Sequence, residues 1–285
     1  MTIPEYLVIG TITKDLIPDG FTIGGTVTYA AVTASRLGMR AGIVTSAGTD
    51  LVLPDALKGV QVVCAPSQAT TTFRNIYVNG VREQYISALA EPIGPEAIPL
   101  EWRQTPLVHL GPLVRELDES LVHLFPNSWV IATAQGWFRS WDDTGRVSLG
   151  AWERAEQLLP HLTALILGEE DICGDPECVE RYASSVRTLV LTHGAHGSTV
   201  YHDGQVRHFP TRPAREVDLT GAGDVFAAAF LIRLYETFQT RGVEDPWDAA
   251  RFANVVGSFS VEGLGTSAIP SREQVEAYLQ QTARA

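Results

Sequence analysis

Along the 285-residue chain, short apolar runs alternate with longer stretches whose apolar residues recur at helical spacing. The runs at 7–12, 41–45, 60–64, 108–110, 130–133, 164–167, 188–191 and 199–202 are rich in Val, Leu, Ile and Ala. That is the signature of strands buried on both faces. Helical spacing marks 26–37, 117–125, 151–158, 224–236, 247–261 and 272–279,. The order predicts an α/β fold with a mostly parallel sheet covered by helices on both sides. Such sheets take ligands beyond the carboxyl ends of their strands. One region breaks the alternation: 70–78 and 81–86 flank Asn79-Gly80, a two-residue hairpin signal,. A hairpin inserted there predicts a small β lid that closes a cleft and expels water. No Pro/Ser linker, repeat or low-complexity tract divides the chain. Residues 1–285 are therefore expected to form a single domain, with lid segments near 12–25 and 70–92.

A net charge of −12 argues against a nucleic-acid partner or an anionic membrane,. No apolar run is long enough to span a bilayer, and no basic segment or cleavage site precedes the first strand, so no cleavable leader is expected,. Cys64, Cys173 and Cys178 are an odd number of thiols, expected to be reduced in a cytoplasmic enzyme,. Cys173 and Cys178 have no His or Cys partners at zinc spacing,. Lysine occurs only at Lys14 and Lys58. No Gly-Lys-Ser/Thr and no Val-Ala-Ile-Lys appears, which excludes a P-loop NTPase and a protein kinase,. If this chain handles phosphate, backbone amides, a metal ion and arginine must meet the charge.

The stretch Val217-Asp218-Leu219-Thr220-Gly221-Ala222-Gly223-Asp224-Val225-Phe226 leads into an alanine- and leucine-rich helix. A helix start leaves backbone N–H groups unpaired and partly positive, a natural seat for an anion. Gly221, Ala222 and Gly223 have almost no side chain to keep a phosphate away,. Asp224, an acid beside that seat, is suited to taking a proton from a hydroxyl that attacks phosphorus. The plainer alternative is a first-turn Asp that merely complements the helix dipole. In either case a carboxylate at a helix start is expected to have a lowered pKa.

The motif resembles the Asp-Thr-x-Gly-Ala-Gly-Asp signature of the ribokinase-like (phosphofructokinase-B) family of carbohydrate kinases, with Leu219 in place of a small or hydroxyl residue. The resemblance implies a three-layer αβα sandwich with a small β lid. It also implies transfer of the γ-phosphoryl group of ATP to a hydroxyl of a sugar or polyol, with Asp224 as base and Gly221, Ala222 and Gly223 as anion hole. Asp15 and the Gly24-Gly25 pair would hold acceptor hydroxyls, with Tyr29 where sugar kinases commonly carry Asn. Gln135 and Arg139 would grip hydroxyls or phosphate. Thr192, Gly194, Gly197 and Thr220 would lie along the nucleotide, and Asn254 beside its base, unless Asn254 is a solvent-facing helical residue. Asp171 and Glu170 would support Mg2+ where the family carries Asn-x-x-Glu, Gly168 replacing the Asn; the other reading of 168–171 is an acidic helix start. Asp218 and Gly265 correspond to carbonyls that flank a monovalent cation, K+. The lid is the expected contact of a homodimer. A nucleoside kinase remains an alternative, given aromatic Phe73 and Tyr77 in the lid, as does a non-catalytic ligand-binding relative. Trp137 and Trp141 are expected to be packing residues. His193, His196, His202 and His208 are expected in loops and at the surface, with no matching carboxylate.

Overall fold

In the computed structural model, residues 2–78, 81–172 and 176–282 are described. In chain order the strands are β1 (Tyr6–Gly10), β2 (Thr13–Ile17), β3 (Gly20–Gly24), β4 (Ala41–Gly48), β5 (Gln61–Ser67), β6 (Thr72–Val78), β7 (Val81–Ala88) and β8 (Leu107–Gly111). They continue as β9 (Trp129–Thr133), β10 (Arg139–Trp141), β11 (Val147–Leu149), β12 (Ala164–Gly168), β13 (Thr188–Thr192), β14 (Ser198–His202) and β15 (Gln205–Phe209). The α-helices are α1 (Thr26–Arg36), α2 (Gln135–Phe138), α3 (Ala155–Leu158), α4 (Pro176–Ala183), α5 (Ala222–Arg241), α6 (Pro246–Ser260) and α7 (Arg272–Thr282).

Nine strands form the central sheet in the order β15-β14-β13-β12-β9-β8-β1-β4-β5. From β13 to β5 all neighbours run parallel, and β14 and β15 close one edge antiparallel. The β1, β8 and β12 runs are buried because helices cover both faces,. One face packs on α1, α5 and α6 through Val27, Ala31, Phe230 and Phe252. The other packs on Trp102, Phe125, Trp137 and Trp152. Helix α5 is buried over nearly its whole circumference from Asp224 to Leu234, the pattern of a helix inside a core. Truncating a side chain such as fully buried Phe230 would cost about 3–5 kcal/mol,. The C-terminal helix is fastened back onto α1, because Arg272 donates to the Leu37 carbonyl (2.9 Å) and pairs with Glu236 of α5.

A second sheet has the order β3-β2-β6-β7, with β2 and β6 parallel and the other pairs antiparallel. It is assembled from 13–24 and 72–88, the two segments expected to stand apart from the main sheet. The Asn79-Gly80 turn lies outside the described residues, as do Cys173 and the Tyr77 side chain. The flanking strands do pair antiparallel, up to Val78 opposite Val81.

Several elements differ from the expected ones. The expected helix at 117–125 is a short 3₁₀ turn, Glu119–His123, capped by Asp118 and followed by Pro126. The 151–158 helix is shortened from its N-terminal side to α3, with 151–154 outside it, and ends where expected, before the 3₁₀ turn Leu159–His161. Three elements had no clear sequence signal: α4, strand β15 and the hairpin β10–β11.

Candidate active site

The loop 217–221 and the first turn of α5 stand at the carboxyl edge of the sheet, facing the start of α1. Gly221 is the N-cap, at φ +76, where glycine avoids the strain of a side chain,. A Cβ there would run into the Tyr29 ring. Tyr29, only 4% exposed, is therefore packed beneath the loop rather than open to a ligand. Its expected role as an acceptor contact becomes one of support: α1 holds up the anion-binding turn through this ring. Burial raises the Tyr29 pKa, and the carboxylates of Asp218, Asp224 and Asp15 push it further.

The next residues divide the first turn. The Ala222 amide is taken by the Leu219 carbonyl at 3.3 Å. Gly223 is exposed, and a Cβ added to it would meet nothing within 4 Å. An anion placed there meets the positive end of a 20-residue helix,. Gly223, more than Ala222, is the residue of the proposed hole with room above it. Thr220 is exposed beside it.

Asp224 departs from expectation. It is 8% exposed, and its pKa is raised to about 7, not lowered. Burial is the main cause, the Asp171 carboxylate adds to it, and the Thr26 hydroxyl and Arg139 guanidinium oppose it. Desolvation outweighs the helix dipole. A carboxylate of that pKa accepts a proton near neutral pH far more readily than an ordinary aspartate. Thr26, fully buried at the start of α1, is a neighbour that sequence alone did not single out.

Asp218, at the other end of the loop, fastens it. Its carboxylate accepts from the Thr220 amide (2.9 Å) and the Gly265 amide (2.8 Å). Partial burial pushes its pKa up, but these donors outweigh burial and leave it lowered. Asp218 and Gly265 are brought together, but through the Asp218 carboxylate and the Gly265 amide and not through their carbonyls. On the acceptor side, Gly24 lies so close to Asp15 that a Cβ would meet its carboxylate, and Gly25 sits at φ +91 against the Thr11 carbonyl. The two glycines let the small sheet and α1 approach each other.

Arg139 donates to Gln135 (2.9 Å) and to the Leu113 carbonyl (3.1 Å). Glu116, buried and raised in pKa by that burial, accepts from the amides of Leu113 and Val114 and so fixes the loop that receives Arg139. This tie links residues distant in sequence and left no sequence signal.

Among the residues expected along a nucleotide, Thr192 donates to the Leu167 carbonyl. Gly194 has open space where a side chain would be, whereas Gly197 is packed against the Phe209 carbonyl. Asn254 is 5% exposed, and its amide donates to Ser198 (3.1 Å) and the Phe209 carbonyl (3.0 Å). Neither the base-contact nor the solvent-facing reading holds, because the amide is spent fixing the β14–β15 hairpin onto α6. Asp171 accepts from the Gly168 amide (2.8 Å), and burial raises its pKa. Glu170 is exposed. Two of the histidines differ from expectation, while His196 and His208 are exposed as expected. His193 pairs with Glu169 (2.5 Å) and Thr199, and His202 lies 3.3 Å from Asp203. Among the described residues no group of three or more His, Cys, Asp or Glu side chains could hold a metal ion by itself.

Residues 150–273 match the family model of pfkB family carbohydrate kinases. Over 80% of its length the chain is 27% identical to a cytidine kinase of Thermococcus kodakarensis, covering 87% of that protein. Over 94% it is 27% identical to a fructokinase of Escherichia coli, covering 97% of that one. It also superposes with a TM-score of 0.77 on a pyrophosphate-dependent kinase in the ribokinase family complexed with a pyrophosphate analog and myo-inositol, at 26% identity over 95% of this chain and 99% of that one. The chain carries a pfkB family carbohydrate kinase domain on the ribokinase fold.

Proposed function

We propose that this protein transfers the γ-phosphoryl group of ATP to a hydroxyl of a small sugar or polyol. One observation carries the reading: a buried Asp224 with a pKa of about 7 beside the open, side-chain-free turn at Gly223. In the step, the acceptor oxygen forms a bond to the γ-phosphorus as the bridging bond to the β-phosphate breaks, ADP leaves, and the hydroxyl proton passes to Asp224. The Gly223 amide and the α5 dipole meet the charge on the transferring group. Asp15 and the Gly24-Gly25 turn orient the acceptor, and the small sheet serves as the lid. The similarity to a fructokinase and to a kinase complexed with myo-inositol supports a sugar or polyol. The similarity to a cytidine kinase supports a nucleoside as the second acceptor class.

The residues fit a hydrated Mg2+ rather than a caged one, because Glu170 is exposed at the end of β12 while Asp171 already binds Gly168,. When bound, the ion neutralises phosphate charge. The carbonyls of Asp218 and Gly265, on segments tied by the Asp218 carboxylate to the Gly265 amide, would flank a monovalent cation such as K+. Exposed Leu16, Ile17 and Phe21 on β2 and β3 support a homodimer through the lid, measurable as solution mass by light scattering and its loss in Phe21→Asp,. No helix among the described residues is long and apolar enough to cross a membrane, which agrees with a cytoplasmic enzyme.

The test is a phosphoryl-transfer assay of ATP and pyrophosphate against fructose, ribose, myo-inositol and cytidine, with Mg2+ and with K+ or Na+. Transfer from ATP to a sugar or polyol bears out the reading. Preference for pyrophosphate would overturn its donor, and turnover of cytidine alone its acceptor.

A further inference from the structure

The hairpin β10–β11 touches two places that the reaction must bring into register. At its base is Arg139, whose guanidinium is held by Gln135 and the Leu113 carbonyl and is close enough to Asp224 to oppose the rise in its pKa. At its turn, the hairpin clasps β7, the last strand of the small sheet. The Ile86 amide donates to the Gly145 carbonyl at 2.8 Å, Tyr85 and Arg146 form an antiparallel bridge, and Arg146 pairs with Glu83 at 2.8 Å. Gly145 lies at φ +80, and a Cβ there would run into the Ile86 carbonyl. The connection is stiff, because Asp142 accepts from the Thr144 amide, the Thr144 hydroxyl and the Arg146 amide. Beside the clasp a groove of about 470 Å3, lined by 86–89 and 141–145, separates the two elements.

We propose that this hairpin is a link that makes the place of Arg139 follow the seat of the small sheet, with Gly145, Arg146 and Glu83 as positioning residues. An acceptor that binds Asp15 on β2 and so draws the sheet down over the cleft thereby also sets the arginine beside Asp224. Only the kinetic arm of the test rests on the kinase reading above.

Gly145→Ala breaks the clasp without touching the site. In the ligand-free protein it should expose the Ile86 amide to hydrogen exchange and shift the Arg139 Nε–H resonance, identified by its loss in Arg139→Lys. In turnover it should lower kcat about ten- to a hundredfold and raise the acceptor KM, with the donor KM unchanged within about twofold. Gly59→Ala is the control: it imposes the same backbone strain at φ +89 with nothing in reach of its Cβ, and all these readouts should stay put. Glu83→Arg and Arg146→Glu should each lower kcat by about two- to threefold at most, given an exposed pair, and together restore it. An exposed Ile86 amide with the Arg139 resonance unmoved would overturn the link. So would a double reversal no better than the single ones. If the unmodified protein phosphorylates nothing, the kinase reading fails, and the Arg139 resonance still decides the link.

Discussion

Asp218 and Asp224 stand at the two ends of one glycine-rich loop, and the fold drives them in opposite directions. Asp218 is half-exposed and receives two amides, so it stays charged and acts as a fastener. Asp224 lies in the first turn of a helix, where the dipole should favour its charge, yet its pKa is raised to about 7. The difference shows which effect governs. A dipole offsets about 0.3–1 kcal/mol at an exposed terminus, while burial of an aspartate shifts it by several times that. Partnered and wet, a carboxylate holds structure; dry and short of donors, it becomes a base.

The comparison breaks most sharply at Asp224 itself. Asp224→Asn should lower kcat by about 10²–10⁴ with acceptor binding nearly intact, whereas Asp218→Asn should leave the chemical step alone. The same pair separates in stability. Asp224 binds its proton more readily folded than unfolded. Its contribution is therefore full below the ordinary carboxylate pKa of 3.8 and is lost as pH rises through about 7,. Asp224→Asn should then raise Tm at pH 8, raise it less at pH 5, and leave it nearly unchanged at about pH 3, below the unfolded pKa, read by calorimetry,. A wild-type kcat in the Asn variant would remove the base.

Next in size is the anion seat. Gly223→Val should lower kcat by about 10²–10³ while the protein still folds, because its side chain enters open space,. Gly221→Ala should instead destabilise the fold by collision with Tyr29. Equal Tm losses in the two variants would show that Gly223 is structural as well.

Asp15→Ala should cost about 1.5–3 kcal/mol in kcat/KM for the acceptor, since hydrogen bonds to a charged group are the stronger kind. A rise in the KM for ATP instead would merge the two sides of the cleft. The smallest effect sharpens the contrast. The acid limb of kcat/KM should have an apparent pKa near 7 that Asp218→Asn does not move, at a stability cost of about 1 kcal/mol or less for so exposed a group,. A limb that falls only below pH 5 would mean that a different group titrates.

What was legible in the sequence was whatever short-range chemistry dictates. The strands β1, β8 and β12 are unbroken apolar runs, and α5 announces itself by its alanines and by the glycine turn that starts it. Eight of the nine strands of the central sheet, the second sheet and the position of the loop at the sheet edge followed from that order. What was not legible depends on partners far along the chain. The pKa of Asp224 turned on burial that a helix-start rule does not contain. Asn254 was misplaced because its partners, Ser198 and Phe209, belong to a hairpin whose second strand alternates too little to be seen. The β10–β11 strands are three residues each, too short for any period to register. Tyr29 occupied the expected position, but only the packed ring shows that it faces a glycine and not a ligand.

Fastening α7 to α1 has a consequence for how the chain comes into being. Helix α1, which opens the acceptor side, is made early, but it rests on α5, and its last turn is tied by Arg272 to the Leu37 carbonyl, 235 residues away. Contacts of such separation pay their loop-closure entropy before they return any stability, and topologies built on them fold slowly. On a ribosome delivering about 5–20 residues per second, the apolar face of α1 waits on the order of ten seconds or more for its partners. For that interval the apolar face of α1 is uncovered, and the arrival of α5 and then of α7 ends the exposure.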